Sequence, residues 1–404
     1  MTRELGMGTW LPVDDRVGDA SEPVPSPPAI FEYTWYGILG YAMLGQAWGI
    51  VIPSVGGALL ALLAAACVAS VGARAPRVYA PVAPAICMGI SIIAVQFLFY
   101  GGRALESSMV FIGWLFTVCI VQVLSLRPRF LNRFAMAAFI IGLGAIPYMQ
   151  ARSGGGFIRF GASGTSISNP NTLAMWFGFC AIFFLFWGLQ SRTLTRRMFT
   201  WALALISLYI VALTVSRGTL LGIVLACLVG FRSTLKHGFL PAVSVVVLMA
   251  LVYESGVFQQ AIDFYTIRGT EETGRGKLWP AALQRLLDSP WTGYGLDAVR
   301  VRAAWNFAHT PHNALLYIGL GGGLIPLLCF LGYLARVGIN TMHIMKGYPV
   351  GEATIIPALV AFAFIQIMLA DNFFMFAWVV VVFTSAIMQG HPHWLRTIPQ
   401  MNEA

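Results

Sequence analysis

Long uncharged apolar runs restrict the fold of this chain more than any other feature. Residues 171–190, "NTLAMWFGFCAIFFLFWGLQ", contain no charged side chain, and similar runs recur along most of the chain. About 20 apolar residues span a bilayer as an α-helix, and only helices and closed barrels satisfy their backbone hydrogen bonds there. Charged residues make up 10% of the chain, and the mean hydropathy is +0.76. The sequence therefore predicts an all-α, polytopic membrane protein.

The apolar runs predict about twelve transmembrane helices within a domain at 34–390. The spans are 34–52, 54–73, 78–101, 105–126, 134–150, 171–190, 200–216, 218–232, 239–256, 312–335, 354–370 and 373–389. Residues 1–33, rich in proline and mixed charges, are predicted to be a disordered tail, and 391–404 a second tail. One large polar loop, 257–311, separates the ninth and tenth spans.

The distribution of lysine and arginine predicts the orientation in the membrane. Fifteen lie in the N-terminal tail and the loops on its side, whereas the other side has four in short segments and six in the loop 257–311. Short cytoplasmic loops carry the excess of Lys and Arg, and long loops are weak signals. Both termini are therefore predicted to be cytoplasmic, and the net charge of +9 reflects topology rather than nucleic-acid binding.

Two predicted outer segments are more than short connections. Residues 151–170 form a loop rich in Gly and Ser that carries Arg152 and Arg159. Within 257–311, "GKLWPAALQRLLDSP" predicts an amphipathic helix along the membrane surface, with Pro280 in its first turn. Its apolar stripe is predicted to be Leu283, Leu286 and Leu287. Trp279 and Trp291 are predicted to lie at headgroup level.

Two arginines are notable on the predicted outer face. Arg217 lies between two apolar runs with almost no loop between them, and Arg275 is flanked by glycines near the start of the loop helix. The alternatives are a charge that marks a tight helical hairpin for Arg217 and an ordinary loop charge for Arg275. A guanidinium with five donors suits a phosphate or diphosphate, and helix N-termini favour anions. We therefore predict that both arginines bind phosphate.

A histidine precedes the predicted tenth span on the same face. His312 follows Pro311, and its neutral imidazole can take a proton from an attacking hydroxyl. His309 offers the same chemistry further from the helix start, so we predict His312 as the base. Asn313 either orients a ligand or caps the helix.

The acidic residues of the outer loop predict no metal site. Glu271 and Glu272 are adjacent, and they are either solvated loop charges or a general base and partner for Arg275; Glu272 is included in the predicted site. No Asp-x-Asp motif occurs on the outer face, whereas a magnesium site needs grouped carboxylates. We therefore predict a site without metal or cofactor, in which arginines neutralise the phosphates.

Taken in order, these features resemble the O-antigen ligase and O-antigen polymerase superfamily. "ISNPNTLAMW" (167–176) resembles its Asn-Pro-Asn start of a central helix, and "SRGTLLG" (216–222) its Ser-Arg-Gly membrane hairpin. "TGRGKLWPAALQRLLDSPWTGYGLDAVR" (273–300) resembles its Gly-Arg and Leu-Trp helix, and "HTPHNALLYIGLGGGL" (309–324) its His-Asn helix start. The twelve-span topology with a large outer loop is the fifth feature. The resemblance covers roughly 165–335, and the N-terminal third is similar only in hydropathy.

The resemblance implies a GT-C-like glycosyltransferase that works without metal on the periplasmic side of the bacterial inner membrane. Its donor would be a glycan on undecaprenyl diphosphate, attacked by an acceptor hydroxyl with inversion at the anomeric carbon. Arg217 and Arg275 would bind the diphosphate and stabilise its developing charge. His312 would accept the hydroxyl proton or position the acceptor, and Arg152 and Arg159 would add phosphate or sugar contacts.

The resemblance leaves the acceptor open. A ligase transfers the glycan to lipid A-core in lipopolysaccharide biosynthesis, whereas a polymerase transfers it to another lipid-linked repeat; a protein acceptor is a third option. We favour the ligase, although an outer loop of about 55 residues is short for docking lipid A-core. The alternative from another class is a twelve-helix transporter or flippase. Transporters place polar or broken-helix sites near the midplane, whereas the polar groups here gather at the outer face.

Overall fold

A computed structural model of the chain describes 26–49, 53–101, 104–154, 157–232, 275–301, 309–347, 355–370 and 376–390, with the single residues 259, 263 and 266. Within these residues the chain forms α-helices, short 3-10 turns and one β-hairpin. The predicted ninth span, 239–256, lies outside the described residues, as does most of 257–274.

The helices follow the apolar runs. In chain order they are α1 (Ala29–Leu44), α2 (Pro53–Val71), α3 (Ala75–Tyr79), α4 (Ala83–Phe99), α5 (Ala104–Leu124), α6 (Phe130–Leu143), α7 (Pro170–Gln190), α8 (Leu194–Leu213), α9 (Arg217–Gly230), α10 (Arg275–Asp288), α11 (Ala314–Gly322), α12 (Leu324–Gly347), α13 (Ile355–Leu369) and α14 (Ala377–Gly390). Each predicted span within the described residues includes helical chain, although 34–52 and 134–150 extend beyond the ends of α1 and α6. Helix α1 begins at Ala29, so it includes the last residues of the segment predicted as a disordered tail.

Several helices have the length and composition of membrane spans. Within the described residues six helical stretches qualify, and they are Val55–Phe99, Ala104–Leu124, Phe130–Tyr148, Pro170–Gln190, Leu194–Leu213 and Leu324–Lys346. Helices α9, α13 and α14 are apolar but shorter. The structure therefore agrees with a polytopic membrane protein, while the number of twelve spans and their sidedness stay predictions.

Helix α7 is the centre of the bundle. Of its most apolar 18-residue stretch 83% is buried, compared with 33% for α8, and α7 packs against α6, α8, α9 and α13. Its buried surface is rich in phenylalanine, including Phe177, Phe179 and Phe183. The first turn is fixed by Asn169, whose side chain accepts a hydrogen bond from the backbone N–H of Asn171 at 2.9 Å. Residue 171 is therefore held at the capped start of a largely buried helix.

The segment predicted as a loop at 151–170 instead forms part of a β-hairpin, so the all-α prediction needs this correction. Strands β1 (Met149–Gly154) and β2 (Phe157–Ala162) pair antiparallel, with Arg152 opposite Arg159. The hairpin packs through β2 against α7. Gly161 of β2 leaves no room for a Cβ beside the carbonyl oxygen of Ser168, and that Cβ would lie 3.2 Å from Pro170, the first residue of α7. The hairpin therefore lies directly beside the start of α7.

Helix α10 lies where the sequence predicts a helix in the polar loop, but its details differ. It begins at Arg275, which makes Pro280 its sixth residue rather than part of its first turn. Its buried face is Leu278, Ala282 and Leu286. Of the predicted stripe only Leu286 is buried, while Leu283 and Leu287 are 50% and 62% exposed. The spacing i, i+4, i+8 places the buried residues on one face, which packs against α11.

The predicted tenth span, 312–335, is wrong as a single helix. The chain breaks at Gly323, which has φ of 79°, so that α11 and α12 are separate and the candidate span begins at Leu324. The run "GLGGG" permits close packing, since a Cβ on Gly319 would lie 2.8 Å from Leu286 and one on Gly321 2.7 Å from Leu296. His312 therefore precedes a nine-residue helix rather than a spanning one.

Candidate functional site

A polar pocket lies where the N-termini of α7, α9 and α10 meet the C-terminus of α13. It contains about 410 Å³ of empty space, part of which is open to solvent. Its lining residues are Asn171, Met175, Ser216, Arg217, Gly218, Thr219, Arg275, Gln366 and Leu369. The fold thus brings together the two arginines that the sequence analysis predicted to bind phosphate.

Three helix N-termini add to the positive potential of this pocket. Arg217 and Arg275 are the first residues of α9 and α10, and Asn171 is the second residue of α7. A helix N-terminus carries partial positive charge and backbone N–H groups without partners inside the helix. Two guanidinium groups and three helix N-termini in one pocket favour an anionic ligand such as a phosphate or diphosphate.

A chain of uncharged side chains fixes the start of α9. Ser216 Oγ donates to Asn171 Oδ1 at 3.2 Å and lies 3.2 Å from Thr219 Oγ1. Gln366 Nε2 donates to the carbonyl oxygen of Gly218 at 3.3 Å, and its Oε1 lies 3.5 Å from Thr219 Oγ1. These contacts join α7, α9 and α13 on both sides of Arg217.

The backbone before Arg217 is unusual. Val215 is fully buried and has φ of 52°, a conformation in which a β-branched residue is a genuine outlier. The non-glycine residues of positive φ within the described chain are Arg129, Val215 and His312, so two of the three lie at or beside the pocket. Such strain costs on the order of 1–3 kcal/mol and clusters at functional sites.

Two successive carbonyl groups at the end of α13 hold residues from other elements. Arg275 Nη2 donates to the carbonyl oxygen of Leu369 at 3.1 Å, and Asn313 Nδ2 donates to that of Met368 at 3.3 Å. Asn313 Oδ1 accepts from the N–H groups of Leu315 and Leu316, so Asn313 caps α11 as one sequence alternative predicted. The start of α11 is therefore fastened next to the pocket.

His312 lies beside the pocket rather than in its lining. It is exposed, has φ of 48°, and follows Pro311, whose carbonyl oxygen accepts from Trp279 Nε1 at 2.9 Å. The ring of His309 lies 6.4 Å from that of His312, and the backbone of His309 pairs with Val301. Burial, together with the neighbouring His312 and Arg300, lowers the pKa of His309 below its ordinary value. Trp279 thus fastens the histidine segment, a contact that its predicted place at headgroup level did not include.

The hairpin arginines occupy different surroundings. Arg159 Nη2 donates to Asn171 Oδ1, and its Nε donates to the carbonyl oxygen of Thr214 at 3.0 Å. Arg159 therefore reaches the pocket through Asn171, whereas Arg152 is exposed on the hairpin. Glu272 lies outside the described residues.

The sequence analysis missed several pocket residues that carry no charge. The pocket is lined by Asn171, Ser216, Thr219 and Gln366, whose neutral side chains stand out less in the sequence than ionisable ones do. Gln366 gave a usable signal, because it is a lone amide in the apolar helix "IIPALVAFAFIQIML". Asn171 belongs to the Asn-Pro-Asn motif that opens α7.

The two arginines and the histidine of this region fall within one match to a known family. Residues 202–331 match the O-antigen ligase family model. The O-antigen ligase match covers about a third of the chain and includes Arg217, Arg275 and His312, whereas Arg159 and Asn171 precede it. It confirms the resemblance to the O-antigen ligase and polymerase superfamily. Among curated proteins, none matches the chain.

Within the described residues, no three or more His, Cys, Asp and Glu side chains are grouped as metal ligands. The arrangement around the pocket is suited to holding an anion with arginine side chains, helix N-termini and neutral hydrogen-bond donors.

Proposed function

We propose that this protein is a metal-independent, inverting glycosyltransferase of the bacterial inner membrane. It transfers a glycan from undecaprenyl diphosphate to an acceptor hydroxyl at the periplasmic face, as an O-antigen ligase acting on lipid A-core. The observation that carries the proposal is that Arg217, Arg275 and three helix N-termini meet in one pocket. Both arginines lie within the O-antigen ligase match.

The pocket supports an anionic head group. Arg217 and Arg275 bind the two phosphates, and their charge stabilises the diphosphate as it leaves. Guanidinium groups suit this step because they stay protonated and present several donors to phosphate oxygens. Leu369 orients Arg275 through its carbonyl oxygen without cancelling the charge.

The outer surface of α9 supports an apolar tail on the same ligand. Leu221, Val224 and Leu228 follow Arg217 at helical spacing and are 51%, 49% and 52% exposed. Residues four apart on a helix lie on the same face, so this apolar stripe begins one turn from Arg217. A polyprenyl diphosphate, with its head in water and its tail in lipid, fits such a surface.

The chemical step follows from these positions. The acceptor hydroxyl oxygen attacks the anomeric carbon, and a new C–O bond forms as the bond to the diphosphate oxygen breaks. The hydroxyl proton passes to His312, and undecaprenyl diphosphate leaves with its charge held by the arginines. Attack from the face opposite the leaving group gives inversion.

A purified transfer assay tests the proposal. The protein is mixed with lipid-linked glycan and offered lipid A-core and lipid-linked repeat in competition. Preferred transfer to lipid A-core supports the ligase, and preferred transfer to the repeat would replace it with a polymerase. Activity in excess chelator is expected to be unchanged.

The alternative function, a flippase, predicts a different result. Absence of transfer to any hydroxyl acceptor, combined with movement of labelled lipid-linked glycan across proteoliposomes, would overturn the proposal in favour of a flippase.

A further inference from the structure

Asn171 joins the pocket to an arginine behind it. The residue is half-buried and lines the pocket, while Arg159 Nη2 and Ser216 Oγ both donate to its Oδ1. Arg159 is itself held by its Nε, which donates to the carbonyl oxygen of Thr214 at 3.0 Å. The amide therefore lies between a fixed cation and the space that a ligand would fill.

The orientation of this amide follows from its partners. An arginine side chain can only donate hydrogen bonds, so the atom facing Arg159 must be the carbonyl oxygen Oδ1. The planar amide then presents its two N–H groups away from Arg159. The backbone N–H of Asn171 is bound by Asn169, which fixes the position from which the side chain extends.

The charge of Arg159 makes this amide a better donor. Hydrogen bonds in a chain polarise one another, so a guanidinium bound to the carbonyl oxygen draws electron density away from the N–H groups. Through this polarisation the charge of Arg159 strengthens a donor in the pocket, although the guanidinium itself bonds to Asn171 on the side away from the pocket. Such a polarised donor favours an anionic oxygen over a neutral one.

We propose that Asn171 is a further ligand-binding residue whose Nδ2 donates to a phosphate oxygen of the diphosphate-linked donor, with Arg159 as a positioning residue that acts through it. This inference rests on the proposed function and adds a third contact to those of Arg217 and Arg275. It also gives Arg159 a role different from the phosphate or sugar contact that the family resemblance implies.

The decisive variant is Asn171→Asp. A carboxylate still accepts from Arg159 and Ser216, but it has no N–H to donate and places negative charge next to the phosphates. We expect affinity for inorganic diphosphate and for farnesyl diphosphate to fall at least tenfold. The KM for lipid-linked glycan should rise by a similar factor. Unchanged affinity and KM would overturn the inference, since Asn171 would then serve only as an acceptor for Arg159.

Asn169→Asp is the matched control. It introduces the same charge two residues away, outside the pocket lining, and keeps the oxygen that caps α7. We expect its diphosphate affinity to stay within about twofold of the wild type. An equal loss in both variants would show a general effect of added charge and would overturn the inference.

Arg159→Gln tests the relay even if Asn171→Asp does not fold. Glutamine can still donate to Asn171 but lacks the charge, so the donor KM should rise several-fold with kcat unchanged, and Arg159→Lys should restore part of it. An unaltered KM in Arg159→Gln would overturn the relay. If the wild type neither binds diphosphate nor transfers glycan, the proposed function itself fails, which separates the two outcomes.

Discussion

The arginine cluster at the start of α6 and the one at the pocket are built in opposite ways. At the start of α6, Arg133 Nε and Nη2 donate to the carboxylate of Glu32 at 2.7 and 2.8 Å, and Arg127 pairs with the same carboxylate at 2.7 Å. Glu32 is 1% exposed and also accepts from Tyr36. The cations of this end therefore have their counter-ion inside the protein, and together they fasten α1 to the α5–α6 connection.

Beyond the other end of α6, the hairpin leads to the pocket. There the described hydrogen bonds of Arg159 and Arg275 go to carbonyl and amide oxygens of Thr214, Asn171 and Leu369. Neutral acceptors orient a guanidinium without cancelling its charge. A buried carboxylate neutralises a guanidinium, whereas a carbonyl or amide oxygen only orients it, and this difference in the described contacts matches a structural cluster at α6 and an anion-binding one at the pocket.

The largest expected effect is on transfer at the pocket. Arg217→Ala and Arg275→Ala should each reduce kcat/KM by about 10²–10³-fold, the range found when one charge-stabilising donor is removed. The melting temperature should change little. Glycan transfer and thermal unfolding in detergent measure the two effects. Near-normal transfer by both variants would show that the pocket arginines have no role in transfer.

The next largest effect should be a difference in kcat between variants of the two histidines beside the pocket. His312→Ala is expected to lose about 100-fold in kcat, the low end for a general base, because an exposed position admits water as a substitute. His309→Ala should stay within a few-fold of the wild type. The same transfer assay decides, and a larger loss for His309→Ala would exchange their roles.

The opposite cluster should respond in stability rather than activity. Glu32→Ala leaves two arginines without their carboxylate and should lower the free energy of unfolding by about 3 kcal/mol. Transfer at a permissive temperature should remain. Thermal unfolding and transfer by the same preparation test this. Lost transfer in a folded Glu32→Ala protein would contradict a purely structural role for the Glu32 cluster.

A smaller effect is expected from changing the shape of one cation. Arg275→Lys keeps the charge but loses the planar fork, so transfer should fall about tenfold if two-pronged phosphate binding matters. Arg133→Lys is the matched control at the start of α6 and should keep full transfer. Full activity of Arg275→Lys would reduce the requirement to simple charge.

The smallest effect concerns pH. The pKa of His309 is lowered in the folded state, so the unfolded chain binds its proton more tightly. Stability should therefore fall as the pH drops below about 6.5, the ordinary pKa of histidine. His309→Gln should flatten this part of a melting-temperature profile, and an identical slope in both proteins would contradict the assignment.

The sequence predicted the elements whose signal is local polarity. The uncharged run 171–190 marks the central helix. Arg217 is recognisable as a charge between two apolar runs, and Arg275 by its flanking glycines near the start of the loop helix. The same reasoning predicted the helix in the outer loop. It could not predict which face is buried, because Leu283, Leu286 and Leu287 are equally apolar and only contact with α11 distinguishes them.

Other features depend on contacts between distant residues. The break at Gly323 lies against the backbone of Pro290 and Trp291, a contact that the local sequence does not reveal. The role of Gln366 depends on Gly218 and Thr219 of another helix. The hairpin has a sequence signal, since the glycines at 154–156 separate two strand-like segments. This signal is weak beside the membrane-length apolar runs on either side.

The carbonyl groups at the end of α13 have a consequence for sequence variation. Arg275 and Asn313 are held by the backbone of Leu369 and Met368, and every residue type supplies the same carbonyl oxygen. The two backbone hydrogen bonds therefore do not depend on the side chain at 368 or 369, although Leu369 also lines the pocket. A proline substitution or a shifted helix end would instead displace both carbonyls together, so an insertion or deletion near the end of α13 should release Arg275 and Asn313 at the same time.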